Sequence, residues 1–138
     1  MRHRGRCHCG GVRIELETGR PLAPRACQCA FCRRHDARSV SDPEGAATLT
    51  FAVEPIRYRF ATRTADYILC SVCGAYAGAT SGEGASLRAT LNLNNFDDPH
   101  PELEAVPVSY DGESAGQRAA SRRARWTPLT IVPAVRPA

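Results

Sequence analysis

Seven cysteines grouped in three short clusters constrain this chain more than any other feature of its sequence. They occur in the segments CHCGG, RACQCAFCRR and CSVCG, at Cys7, Cys9, Cys27, Cys29, Cys32, Cys70 and Cys73. The basic N-terminal segment MRHRGRCHCGG has no apolar segment behind it, so it does not predict a secretory signal, and we expect a cytoplasmic location. Thiols stay reduced in that compartment, and an odd number of them cannot pair fully within one chain. The clusters therefore indicate metal ligation.

The first and last clusters together predict a structural zinc site. Cys7 and Cys9 form a CxC pair ahead of a strand-like segment, while Cys70 and Cys73 form a CxxCG pair. Glycines beside both pairs supply the backbone freedom that tight turns need. Four thiolates complete the tetrahedral coordination of Zn²⁺, and metal bound there contributes free energy of folding. The alternative is that these four residues are unpaired, buried cysteines.

The middle cluster has only three sulfur ligands. Once the other four cysteines are assigned, Cys27, Cys29 and Cys32 find no fourth cysteine. Three protein ligands with an open position are typical of catalytic zinc, where water or substrate takes the fourth place. Two alternatives stay open: a histidine such as His35 completes a structural site, or Cys29 and Cys32 act as a redox dithiol.

Alternating apolar and polar residues predict a mainly β fold built from antiparallel strands. Segment 12–17 places Val12, Ile14 and Leu16 on one face, as a half-buried strand requires. Similar patterns predict further strands near 48–53, 56–60, 67–70, 75–80, 86–93 and 108–111. Glu54 and Pro55 lie between two of these segments and favour a hairpin there.

The C-terminal third is expected to hold at most one short helix. Segment 113–125 is the candidate, although Gly116 weakens it. Its arginines are expected to form a solvent-exposed face, with a functional basic patch as the alternative. Residues 127–138 are expected to be a loose tail, and the whole chain, 1–138, a single domain.

Charge and hydropathy narrow the choice of partners. The formal net charge is +4, and all 18 basic residues are arginine. If all seven cysteines bind two Zn²⁺ ions as thiolates, the net charge falls to about +1, which disfavours a nucleic-acid partner. There is no run of apolar residues long enough for a membrane span. Exposed strand edges are compatible with a homodimer.

The order of the motifs is specific to one family. GRCHCGGV, CQCAFCRRH, CSVCG and FDDPHPE follow one another between about residues 5 and 99. This arrangement resembles the glutathione-dependent formaldehyde-activating enzyme family, which includes the centromere protein V-like proteins. The resemblance implies a β-tent fold, in which small antiparallel sheets surround zinc knuckles, and two Zn²⁺ ions per chain. It also implies the joining of formaldehyde and glutathione into S-hydroxymethylglutathione, a carbon–sulfur lyase reaction in reverse.

These observations predict a zinc-dependent carbon–sulfur lyase that acts on a small thiol–aldehyde adduct. Cys27, Cys29 and Cys32 would hold the catalytic zinc, and the structural zinc would lie at the other four cysteines. Arg33 and Arg34 follow Cys32 directly and are candidates for contacts with the acidic groups of glutathione. The alternative is a non-catalytic, zinc-stabilised module that binds a small thiol or nucleic acid.

Overall fold

Most of the alternating segments form strands in the computed structural model, which describes residues 1–134. Within that range there are eleven strands: β1 Arg2–Arg6, β2 Val12–Glu17, β3 Arg25–Cys27, β4 Ser39–Val40, β5 Ala46–Phe51, β6 Ile56–Tyr58, β7 Asp66–Leu69, β8 Tyr76–Ser81, β9 Arg88–Asn92, β10 Val106–Val108 and β11 Thr127–Val132. The helices are α1 Ala30–Arg34 and α2 Ala115–Arg125, with 3-10 turns at Gly84–Ser86 and Leu93–Asn95. The prediction of a mainly β fold with at most one short helix in the C-terminal part is confirmed, and α1 is a further helix of five residues.

The first sheet contains β1, β2, β5 and β11 in that order. The predicted face of β2 is confirmed, because Val12, Ile14 and Leu16 are buried while Arg13 and Glu17 are exposed. β2 pairs antiparallel with both β1 and β5, and β5 then pairs parallel with β11. Alternation along β2 therefore directs its apolar side chains into the core.

The second sheet is built around β9. β8 pairs with one edge of β9 and continues to β7 and β6, all antiparallel. The other edge of β9 pairs with β11 at one end and with β4 at the other, and β4 continues to β3 and β10. β10 runs parallel to β3, with Val108 opposite Cys27. The chain after Val108 therefore leaves the sheet at the end where the middle cysteine cluster begins.

The prediction of a loose C-terminal tail is wrong for β11. Thr127 and Pro128 pair with β9 of the second sheet, whereas Leu129–Val132 pair with β5 of the first. One strand thus joins the two sheets, and Leu129 is buried between them. These partners are distant in sequence, so local composition gave no sign of the pairing. Residues 135–138 of the predicted tail lie outside the described residues.

The predicted hairpin at Glu54 and Pro55 is also wrong. β5 belongs to the first sheet, while β6 pairs with β7 in the second, so the chain crosses between sheets at this point. The apolar residues of β6 do not form a core face either, because Ile56 and Tyr58 are about half exposed, at 50% and 48%. Alternation predicts a strand but does not specify the partner that covers it.

The helix α2 begins with a capping box. Ser114 Oγ accepts a hydrogen bond from the backbone N–H of Gln117 at 3.1 Å, and the Gln117 side chain accepts one from the Ser114 N–H at 2.8 Å. These two bonds satisfy backbone donors that the helix leaves unpaired at its N-terminus, which compensates for Gly116 in the first turn. In the described part of the chain, no helix combines the length and the apolar character that crossing a bilayer requires.

The core includes part of the cysteine framework. Its largest fully buried side chains come from both sheets, and they include Leu16, Leu49 and Leu91. Burying each such side chain contributes roughly 1.5–3 kcal/mol. Cys7 and Cys70 belong to this same core, whereas Cys32 lies in a smaller, separate cluster with Ala37 and Tyr76. The two sets of cysteines therefore occupy different environments.

Candidate metal centres and the adjoining cavity

Two hairpin turns bring the first and last cysteine clusters together. Cys7 and Cys9 lie between β1 and β2, and Cys70 and Cys73 lie between β7 and β8. The Sγ atoms of Cys7 and Cys9 are 3.8 Å apart, those of Cys9 and Cys70 are 3.5 Å apart, and all four lie within 4.8 Å of one another. A tetrahedral Zn²⁺ with Zn–S bonds of about 2.3 Å separates its sulfur ligands by about 3.8 Å. The four residues fit a zinc ion.

Backbone groups in both turns support thiolate ligands. The N–H of Val12 donates to Cys7 Sγ at 3.2 Å, and the N–H of Val72 donates to Cys70 Sγ at 3.4 Å. Such bonds favour the charged form of a thiol. A Cβ placed on Gly11 would lie 2.9 Å from Val53 Cγ2 and 3.3 Å from Cys70 Sγ, so a larger residue there would have to displace its neighbours. Gly74, with φ +77°, adopts the left-handed conformation that ends the second turn.

This four-cysteine cluster is closed on its inner side. Cys7 and Cys70 are 1% and 0% exposed, and both pack among apolar residues of the core. Cys9 is exposed and Cys73 is half-buried, so the cluster lies where the core meets the surface. Four sulfur ligands at a core position are typical of a structural zinc site.

The middle cluster is built on one tight turn. Cys27 ends β3, Cys29 is the N-cap residue of α1, and Cys32 lies within α1. Cys29 Sγ accepts a hydrogen bond from the N–H of Cys32 at 3.3 Å, and the three Sγ atoms lie within 4.8 Å of one another. His35 does not join this group of ligand atoms, since its ring lies against Phe31 with 4.5 Å between centroids. The spacing and the soft donor atoms fit a zinc ion with three protein ligands.

Without metal, the thiols of the middle cluster differ in their pKa. Hydrogen bonds to Cys27 and then to Cys32 lower the pKa of the Cys29 thiol well below its usual range. The same network, with Cys27 again the first contributor, raises the pKa of Cys32 far above that range. One thiolate held by two thiols is a preformed cation site, and a bound metal replaces the two shared protons.

A cavity of about 110 Å³ adjoins the middle cluster. Its lining includes all three of these cysteines and none from the four-cysteine cluster. The lining residues that concern its chemistry are Arg25, Cys27, Cys29, Cys32, Phe60, Tyr67, Tyr76, Tyr110, Asp111, Arg118, Arg122, Arg125 and Trp126. The three-sulfur cluster is thus accessible to a small molecule.

Aromatic side chains form one wall of this cavity. Phe60 and Tyr67 lie 4.5 Å apart between ring centroids, and Tyr76, which also lines the cavity, meets Phe31 edge-on at 5.0 Å. Burial, together with the negative charge of the thiols, Cys32 first, raises the pKa of Tyr67 to about 12. The Tyr67 phenol therefore stays protonated at neutral pH and can donate a hydrogen bond into the cavity.

A wall of arginines also lines the cavity, and the sequence prediction missed it. Arg118, Arg122 and Arg125 of α2 line the cavity, and Arg122 is only 6% exposed. The prediction of a solvent-exposed arginine face on this helix is therefore wrong for these three residues, although Arg123 is exposed as predicted. Their spacing of four and three residues places them on one helical face, and this was the signal available in the sequence.

The two arginines that we predicted from the sequence to contact the substrate lie outside the cavity. Arg33 and Arg34 are exposed and are not among the residues that line the cavity. Their contact with a substrate stays a prediction. Arg25 was not singled out from the sequence, yet it lies two positions before Cys27 on β3 and shares the cavity with it. Residues two apart on a strand point to the same side, which explains this arrangement.

Two comparisons with known proteins show what this chain is similar to. The sequence model of the glutathione-dependent formaldehyde-activating enzyme family matches residues 2–108. A crystal structure of a Rhodobacter sphaeroides protein is similar to this chain, with 31% sequence identity and a TM-score of 0.60 over 78% of this chain and 98% of that protein. The match to the family model spans all seven cysteines and most of the two sheets. The chain belongs to the glutathione-dependent formaldehyde-activating enzyme family.

Proposed function

We propose that this protein is a zinc-dependent carbon–sulfur lyase that acts on the adduct of a small thiol and an aldehyde, such as S-hydroxymethylglutathione. The observation that carries the proposal is a three-sulfur cluster that adjoins a cavity in a member of this family. A cluster built only to stabilise the fold has no need for an open side. The proposal includes one domain with two Zn²⁺ ions, a structural one at the four-cysteine cluster and a catalytic one at the middle cluster.

Cys27, Cys29 and Cys32 would hold the catalytic ion. Zinc in an open site supplies either a lowered thiol pKa or polarisation of a carbonyl group. The turn between β3 and α1 holds the three sulfurs together, and the backbone N–H of Cys32 orients Cys29 Sγ. The sequence places no further cysteine near them, so the fourth position is left for substrate.

The cavity walls would supply the remaining chemistry. Carbon–sulfur cleavage moves a proton from the adduct's hydroxyl group to the departing sulfur, and formation of the adduct reverses this. Tyr67, whose raised pKa keeps its proton, can donate a hydrogen bond to the oxygen that becomes the carbonyl group. Phe60 and Trp126 exclude water from the same space.

A rate measurement must separate catalysis from the spontaneous reaction. Formaldehyde adds to thiols without a catalyst, so detecting the adduct in a mixture with the protein proves little. We would measure exchange between free glutathione and S-hydroxymethylglutathione by NMR at increasing protein concentration. The expected result is an exchange rate that rises linearly with protein and collapses to the spontaneous rate in Cys29→Ser.

Cys29→Ser is a suitable variant because serine is itself a good N-cap residue, so α1 should keep its first turn. Its circular dichroism spectrum should match that of the wild-type protein. Exchange as fast as in the wild type would disprove the role of the cluster. Binding of glutathione without any increase in exchange rate would instead support the alternative of a non-catalytic binding module.

A further inference from the structure

The arginines of the cavity lack acidic partners. Arg25, Arg118, Arg122 and Arg125 line it together with a single carboxylate, that of Asp111. Within residues 1–134, none of the four arginines takes part in an ion pair. Three thiolates with one Zn²⁺ would add one negative charge, so the cavity keeps a net charge of about +2. Positive charge gathered in a partly buried space favours an anionic ligand.

The protein partners of these arginines are all neutral. Arg25 donates to Ser41 Oγ at 2.7 Å, Arg118 donates to the Tyr110 carbonyl oxygen at 3.1 Å, and Arg122 donates to Thr64 Oγ1 at 2.7 Å. A guanidinium group carries five N–H donors, so most of this capacity stays available. Neutral partners hold the side chains in place without neutralising them.

One donor in this wall is buried without a partner. Arg118 Nε is inaccessible to solvent and donates its hydrogen bond to no partner among the described residues. Leaving a charged donor buried without a partner is energetically costly, so such groups are rare unless water or a ligand satisfies them. A bound oxyanion would accept from Nε and from a terminal nitrogen of the same guanidinium group.

Two further arginines lie near one another in the same wall. Arg25 and Arg125 both line the cavity, and like charges that share one partly buried space repel each other. The guanidinium group of Arg125 lies over the ring of Tyr110, 4.2 Å from its centroid, which holds it in a fixed position. An anion between Arg25 and Arg125 would relieve their repulsion.

We propose that Arg25, Arg118 and Arg125 bind an oxyanion group of the thiol substrate, so that the protein selects small acidic thiols. This inference rests on the proposed function for the identity of the ligand as a thiol. Carboxylate and phosphate groups share the required chemistry. Arg118 and Arg125 lie beyond residue 108, where the match to the family model ends, so the C-terminal helix adds this selectivity to the shared zinc framework.

The fold explains how α2 reaches the cavity. β10 runs beside β3 and ends opposite Cys27, so Tyr110 and Asp111 follow directly at the mouth of the middle cluster. The capped helix then presents Arg118 and Arg125 on the face that meets this space, while Arg123 lies on the exposed side. Arg123 is therefore a matched control on the same helix.

The test measures binding without catalysis. Trp126 is the only tryptophan and lines the cavity, so its fluorescence reports on ligands there. The probes are S-methylglutathione and its diethyl ester, and pantetheine 4′-phosphate and pantetheine, titrated into the zinc-loaded protein. A carboxylate site predicts that S-methylglutathione binds at least tenfold more tightly than its ester. A phosphate site predicts the same difference within the pantetheine pair.

The preferred acidic probe is then titrated into Arg118→Gln, Arg125→Gln and Arg123→Gln. The first two should each weaken binding about tenfold to a hundredfold, as loss of a charge-assisted hydrogen bond requires, and Arg123→Gln should leave it unchanged. Circular dichroism and zinc content verify that each variant is folded and loaded, and two cavity variants guard against one failing to fold. Equal affinity for acidic and neutral probes, or equal losses in all three variants, would overturn the proposal.

Failure of the lyase proposal would look different. S-methylglutathione has no free thiol and cannot form the adduct, so its affinity for the wild-type protein reports on the arginines of the cavity independently of catalysis. A protein that binds acidic probes but does not accelerate adduct exchange would refute the enzymatic function and retain the anion site. A protein that accelerates exchange equally for acidic and neutral thiols would retain the enzymatic function and refute the anion site.

Discussion

Replacing Cys70 by serine should destabilise the whole protein, whereas the same change at Cys29 should not. A metal held by Cys9 and Cys70 cross-links residues that are 61 positions apart. By the loop-closure relation for a covalent cross-link, closing a loop of that length is worth about 4 kcal/mol. A domain of this size is stable by only about 5–15 kcal/mol, so the loss is a large fraction of the total. We expect the midpoint of thermal unfolding to fall by about 10–15 °C in Cys70→Ser.

The control is Cys29→Ser, which alters the other candidate metal site. Its ligands lie within six positions of one another, so a metal there constrains little of the unfolded chain. The midpoint should stay within about 3 °C of the wild-type value. Each variant should lose one equivalent of zinc, measured by elemental analysis of protein purified without chelator, from a wild-type content of two.

The assay is thermal unfolding followed by circular dichroism, repeated after removal of metal with a chelator. Without metal, the wild type and Cys70→Ser should differ only by the cost of replacing a buried thiol with a hydroxyl group, about 1 kcal/mol. A Cys70→Ser protein that loses one zinc yet unfolds within about 3 °C of the wild type would refute the cross-link argument.

Three further predictions concern local features of the two sites. Gly11→Ala should destabilise the protein by about 1–3 kcal/mol in chemical denaturation, because its Cβ would lie 2.9 Å from the nearest side-chain atom, whereas Gly19→Ala, with open space around it, should not. Tyr67→Phe should slow adduct exchange about tenfold with zinc content unchanged, as NMR exchange would measure, and an unaltered rate would exclude the phenol as a hydrogen-bond donor. Zinc binding at the middle cluster should weaken as pH falls. Hydrogen bonding to Cys29 raises the pKa of Cys27, and hydrogen bonding, first to Cys27, raises the pKa of Cys32. Both thiols are therefore protonated without metal, and zinc binding must release about two protons. Calorimetric titration in buffers of different ionisation enthalpy counts those protons, and a count of zero would contradict the shared-proton arrangement.

Much of the metal framework was predictable because its information is local. The CxC, CxC-x2-C and CxxCG segments each place their sulfurs on a single turn, and ligand counting then separates four cysteines from three. The strand β2 was equally predictable from the sequence, since Val12, Ile14 and Leu16 face a core that covers one side of the sheet. In both cases neighbouring residues determine the geometry, so the sequence alone suffices.

Features that depend on distant partners were not predictable in this way. Nothing in the segment Thr127–Val132 shows that it joins two sheets, because its partners β5 and β9 precede it by dozens of residues. The alternation of β6 is similarly ambiguous, since the exposure of Ile56 and Tyr58 depends on what packs over them. Long-range pairing is set by the free energy of the whole core, to which each strand contributes only a part.

The cavity shows the same division between sequence and structure. The sequence by itself determined which seven residues can bind metal and how they divide into two sites. Only the tertiary structure decided that Arg118 and Arg125 line the space beside Cys27 while Arg33 and Arg34 face solvent. Adjacency in sequence suggested the second pair, but α1 turns those side chains outward. The parallel pairing of β10 with β3 brings the C-terminal helix over the open cluster, so charge from a distant segment sets the electrostatics of the site.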